Sequence, residues 1–154
     1  MLWLFSCAQS PHCPPGLHPD PARDRRLASL AGPLPPICYG TLEVSVTDGV
    51  TLLLDERHGD RALAARARHL ATHQADGFPA PGPDCLAQAV RFEVAGWSQE
   101  LQLRQELGLP AKYPFESDWR VHGEPAISRW LWTHPSGGEG VDALLDSYRQ
   151  RCGE

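Results

Sequence analysis

Lysine is nearly missing from this chain: Lys112 is the single lysine among 14 basic residues, and Met1 is the single methionine. Both scarcities fit the bias of a GC-rich genome and carry no functional information. A positive balance is missing too. The formal net charge of -5 argues against a duplex-binding protein, since neutralising phosphates requires a basic face. Long apolar runs are also lacking, with nothing near the roughly 18 consecutive apolar residues of a membrane span, so no membrane association is expected.

A dense cysteine framework is absent as well. Cys7, Cys13, Cys38, Cys85 and Cys152 are odd in number and far apart, whereas disulfide scaffolds show even, closely spaced sets in shorter chains. They read as free thiols in a reducing, cytoplasmic compartment, with Cys38, Cys85 and Cys152 packed as small hydrophobes. Leu4-Phe5-Ser6-Cys7 has the local shape of a lipoprotein cleavage box. A working export signal needs a charged start and about 7–15 apolar residues before the cleavage site, and that stretch is too short here.

What is present divides in two. Residues 1–36 hold eight of the 15 prolines, a composition that opposes helices and central strands and predicts a disordered or extended segment. At most one helical turn is expected over 23–31. Cys7, His12, Cys13 and His18 are zinc-ligand types within that segment, but the proline-filled intervals lack the paired spacing of zinc modules.

Residues 37–154 read as one α+β domain. Leu42, Val44 and Val46 alternate with polar neighbours, the period of a half-buried strand. Asp48-Gly49 then marks a tight turn into a return strand over 50–54. The Ala-, Leu- and Arg-rich stretch 60–74 predicts a helix, with Leu63, Ala67, Leu70 and Ala71 inward and Arg61, Ala65, Arg68 and Thr72 facing water. A second long helix is expected from an Asp84 cap to Leu107, kinked at Gly96, with Gly108 and Pro110 as stop signals. Residues 118–122 and 126–133 read as a second hairpin around Gly123-Glu124-Pro125, with Trp119, Val121, Ile127 and Leu131 pointing inward, and 141–151 as a last helix. The expected order β-β-α-α-β-β-α gives two antiparallel hairpins in a small mixed or antiparallel sheet packed by about three helices.

Several constellations could carry chemistry. His69 and His73 stand at i and i+4, the spacing by which one helix offers two imidazoles to a metal ion. The zincin pattern places a Glu directly after the first His; here that position is Leu70. Arg66 shares that helix edge, which suits an anion as well as a metal, and the bland alternative is a solvated helix face. Trp132-Thr133-His134-Pro135 followed by Asp146 resembles the JAB/MPN zinc isopeptidase signature in spacing. Trp132 stands where that family has a metal ligand, and Ala143 where it has a serine. Glu93, Leu103, Glu106, Gly108 and Leu109 resemble the Nudix hydrolase box, but Ala87, Leu101, Gln102 and Gln105 replace its other defining residues. Neither likeness assigns a family.

Trp130 and Trp132 would share one strand face, with Arg120 and Arg129 nearby, and would form a binding patch. The leading expectation is therefore a binding or regulatory domain acting on a protein partner or as a homo-oligomer through Arg120, Arg129, Trp130 and Trp132. The alternative is a small metal-dependent hydrolase, zinc being the candidate ion and His69, His73, His134 and Asp146 the candidate ligands. Single-stranded nucleic-acid binding is a weaker third reading, opposed by the net charge.

Overall fold

The computed structural model describes residues 12–153. It is an α+β fold of six helices and a three-stranded mixed sheet, and the expected helices account for its centre.

The chain enters through the proline-rich region, which is more structured than its composition suggests. Helix α1 (Pro21–Ala31) starts with Pro21, in the first turn, where a missing N–H costs no helical hydrogen bond. The Asp20 carboxylate caps it by accepting from the Arg23 amide at 2.9 Å. Leu27 is fully buried, the Tyr39 hydroxyl donates to Asp24 at 2.7 Å, and Arg23 donates to Asp60 at 2.8 Å. A docked helix of 11 residues thus stands where the sequence suggested extended or disordered chain. Residues 1–11, with Cys7 and the cleavage-box likeness, lie outside the described residues.

Strands β1 (Ile37–Gly40), β2 (Val46–Thr47) and β3 (Leu52–Asp55) lie in the order β1-β3-β2. β2 and β3 form the antiparallel hairpin around Asp48-Gly49. Asp48 accepts from the Val50 and Thr51 amides at 2.8 and 2.7 Å, and Gly49 adopts φ 94°. The run 38–46 is not one strand, however. It breaks after Gly40, and β1 pairs in parallel with β3, so the sheet is mixed.

Helix α2 (Asp60–Asp76) agrees closely with expectation. Its far side faces water only in part: Arg61 is exposed, but Ala65 is fully buried, because α1 packs on α2 and shares a core with it. Helix α3 (Cys85–Glu106) runs unbroken through Gly96 and packs along α2.

The expected second hairpin is absent. Residues 116–133 form helices α4 (Glu116–His122) and α5 (Glu124–Thr133), separated by Gly123 at φ 69°. Ile127 and Leu131 are buried as foreseen, but their four-residue spacing is that of one helical face, and Pro125 sits in the first turn. Val121, expected inside, is 76% exposed. Helix α6 (Leu144–Cys152) closes the fold, starting later than expected because Val141 bridges back to Gly138.

The cysteine reading needs correction. Cys13 pairs with Cys38, and Cys85 with Cys152. Each bridge restricts the unfolded chain and is worth roughly 3–4.5 kcal/mol on chain-entropy grounds. Among the described residues, no helix is long and apolar enough to cross a membrane.

Candidate metal centre

Two cores flank the α2–α3 contact. One joins the sheet, α1 and α2; the other joins α3, α5 and α6. A polar cluster lies between them, on the facing sides of α2 and α3.

His69 and His73 project from α2, and both are buried, at 2% and 5% exposure. Their i, i+4 spacing puts the two Nε2 atoms 2.9 Å apart. Glu93 meets them from α3, with carboxylate oxygens 3.7 Å from His69 Nε2 and 3.5 Å from His73 Nε2. One donor atom from each of the three residues falls within 4.8 Å of the others. A tetrahedral ion with ligand bonds of about 2.0–2.1 Å sets neighbouring donors roughly 3.3 Å apart. The two Nε2 atoms, and each Nε2 with its own nearer Glu93 oxygen, match that spacing within a few tenths of an ångström.

Gly96 makes the approach feasible. A Cβ there would lie 2.6 Å from His69 Cδ2 and 2.8 Å from His73 Cε1, so an alanine would occupy the space the two rings use. The His73 ring stacks on Phe92 at 3.9 Å, and the His69 ring meets Trp97 edge-on at 4.7 Å. These contacts fix both rings with Nε2 toward Glu93.

A second layer holds the first. His69 Nδ1 lies 2.9 Å from Glu100 Oε2, and the Tyr113 hydroxyl donates to Glu100 Oε1 at 2.6 Å. A carboxylate on the far nitrogen of an imidazole fixes the tautomer that leaves Nε2 free for a metal. Tyr148, on α6, donates to Glu93 Oε1 at 2.8 Å.

The electrostatics follow from burial and partners. Burial alone would raise the Glu100 carboxyl, but the Arg66 charge and the bonds from His69 and Tyr113 outweigh it and hold the group at about 2. Glu93 is likewise pushed up by burial, and its imidazole contacts bring it well below the usual carboxylate range. Burial lowers His73, favouring the neutral ring that metal ligation needs. Burial and the adjacent carboxylates raise Tyr113 and Tyr148, so both keep their protons and act as donors.

The centre opens on one side. His69, His73 and Glu93 line a cavity of about 320 Å³ that also touches Tyr148 and Arg66. A neighbouring cavity of about 440 Å³, bordered by Arg66, Glu100 and Tyr113, continues it past Trp97. Three buried ligands with access to a cavity is the layout of a zinc site that keeps a fourth position for water or substrate.

The remaining candidates fall elsewhere. His134, on the exposed end of α5, stacks on Trp130 at 4.6 Å. Asp146 accepts from Ser136 at 2.7 Å and Arg149 at 3.1 Å. Neither belongs to the ligand cluster. Nor do the tryptophans share a face. Successive even positions on a helix lie about 200° apart, so Trp130 is partly buried against Phe115 while Trp132 is 46% exposed. Arg129 is engaged by Asp118 at 2.7 Å, and Arg120 by Glu116 at 3.1 Å. Glu106, the other acid of the Nudix-like stretch, is exposed and bonded to Gln102.

The reading of single residues missed Glu100, Tyr113 and Tyr148, and it took Glu93 only as part of the Nudix likeness. A signal existed. Glu93, Gly96, Trp97 and Glu100 fall on one stripe of α3, a mixture a solvated helix face would not need. No family model, curated protein or solved structure matches this chain, so its function has to be read from geometry alone.

Proposed function

We propose that this protein is a small metal-dependent hydrolase, with a zinc-type divalent ion held by His69, His73 and Glu93. The observation carrying this reading is the convergence of two imidazoles and a carboxylate at the floor of a cavity. An ion there would act as a Lewis acid and bring the pKa of bound water down toward roughly 7. Such water attacks amide or phosphate-ester bonds.

The chain's own contribution is positional. Glu100 orients His69, Phe92 and Trp97 clamp the rings, and the two core clusters wall the centre off. Leu70 stands where a zincin has its general-base glutamate, directly after His69 in the sequence, and both Glu100 oxygens are engaged. Asp142, exposed at the cavity mouth, is left as the acid that could serve as general base; a site without a base falls short of a base-assisted one by about 10²–10⁴-fold.

The binding-domain reading draws less support. It needed a shared Trp130–Trp132 face and free arginines; the pair is divided, and Arg120 and Arg129 are committed to carboxylates. On α4–α5 a protein partner or second copy would meet Trp132 and Val121 as the exposed large apolar side chains. The two disulfides fit an oxidising compartment better than the cytoplasm.

The test is the metal content of protein purified without a His tag, read by elemental mass spectrometry. We expect about one equivalent of zinc or a related ion per chain, lost in His73→Ala and Glu93→Ala but kept in His134→Ala. Metal-free protein that takes up no zinc on dialysis would overturn the proposal.

A further inference from the structure

We infer that the ligand of this centre is an oxyanion, a carboxylate or phosphoryl group, bound jointly by the metal and by the Arg66 guanidinium. The inference rests on the metal reading above and names the chemistry that reading leaves open.

The first support is charge. With both imidazoles neutral, as ligation requires, a divalent ion and Arg66 face two buried carboxylates, Glu93 and Glu100. One positive charge is left over in a space where unbalanced charge is costly. The charged groups at the cavity mouth, Asp142 and Arg151, are exposed and opposite in sign, so they do not remove the excess. A monoanion at the open coordination position does.

The second support is the state of Arg66. Its guanidinium offers five N–H donors, yet its contacts are long: 3.3 Å to Glu100 Oε2, 3.5 Å to the Ser45 carbonyl, and 3.4 Å to His69 Nδ1. The last is not a good acceptor, because that nitrogen faces Glu100 more closely, at 2.9 Å. Charge-assisted bonds normally close to about 2.7–2.9 Å, so this cation has donor capacity to spare. It lies 5.4 Å from the Trp97 ring centroid, which steadies it, and it lines both cavities.

The third support is reach. Arg66 sits beside His69 at one side of the ligand cluster and touches the same cavity as His69, His73 and Glu93. One oxygen of a carboxylate or phosphoryl group can take the metal at about 2.0–2.2 Å while another accepts from the guanidinium fork. The same two-point grip would carry the anionic end of a substrate or a hydrolysis product.

The experiment replaces zinc with cobalt(II) and follows its visible absorption while acetate or inorganic phosphate is added at fixed ionic strength. We expect a saturable spectral change with a millimolar or tighter Kd for at least one anion; the tighter binder names the carboxylate or the phosphoryl class. Arg66→Gln should weaken that anion at least tenfold while cobalt occupancy stays equal or rises, since a cation beside the ion is gone. A purely structural Arg66 would instead lower occupancy. Should Arg66→Gln fail to fold, Arg66→Lys keeps the charge, removes the fork and is expected to weaken the anion severalfold. Cobalt uptake with no response to either anion, or equal anion affinity in the variant, overturns this inference alone. Failure to take up cobalt overturns it together with the metal reading.

Discussion

The α2–α3 contact and the α4–α5 pair both gather histidine, carboxylate and aromatic side chains, and they treat them in opposite ways. In α4–α5 the groups neutralise one another in water: Asp118 takes Arg129 at 2.7 Å and His122 at 3.5 Å, with all three side chains at least 44% exposed. Such pairs are screened and worth little. Between α2 and α3 the same residue types are buried, His69 and Glu93 are hydrogen-bonded from behind while His73 is held by stacking on Phe92, and the donor atoms converge instead of pairing off. Residue type does not distinguish the two regions; what lies behind each side chain does.

Three substitutions would sharpen or break that contrast, the largest effect first, with two more as controls. Gly96→Ala should displace both imidazoles. We expect metal affinity to fall more than a hundredfold and stability to drop by about 1–3 kcal/mol from overpacking, despite the roughly 1 kcal/mol that alanine gains in helix propensity. Calorimetry of the zinc-free and zinc-loaded protein reads both. Glu100→Gln keeps the shape but weakens the hold on His69, and should cost about 10–100-fold in metal affinity, as loss of an outer-layer carboxylate does. An unchanged zinc affinity would show that Glu100 serves the packing alone.

Tyr148→Phe removes one donor from buried Glu93. About 1–2 kcal/mol is expected, close to a tenfold loss of zinc affinity in a competition assay with a chromogenic chelator. Trp132→Ala and Arg129→Gln close the series: each should stay within about 0.5 kcal/mol of the parent by denaturant titration, with metal uptake unaltered. A large effect from either would return the α4–α5 pair to consideration as the working surface.

The contrast also explains what could be read from the sequence. Helices α2 and α3 announced themselves through composition and stop signals, and Asp48-Gly49 through turn chemistry, because those are local properties. Residues 116–133 did not. Ile127 and Leu131 satisfy a strand's period as well as a helix's, and an X-Gly-Glu-Pro step suits a turn in either. The disulfides were hidden because pairing depends on which distant segments meet. The centre was half legible for the same reason: His69 and His73 carry a spacing on their own helix, while Glu93 and Glu100 gain meaning only once α3 is known to face α2. An isolated glutamate on a helix reads as solvated until another element covers it.

The two disulfides have a consequence for the integrity of the chain. They close two covalent rings, one spanning 13–38 and the other 85–152, and leave α2 and the loop after it outside both. A protease cutting within either ring produces a nick that a non-reducing gel does not reveal. A cut in the largely exposed stretch 75–84 severs the molecule into two ringed halves, one carrying His69 and His73, the other Glu93. An ion shared between those residues would then add a coordinate link to the α2–α3 packing that joins the halves.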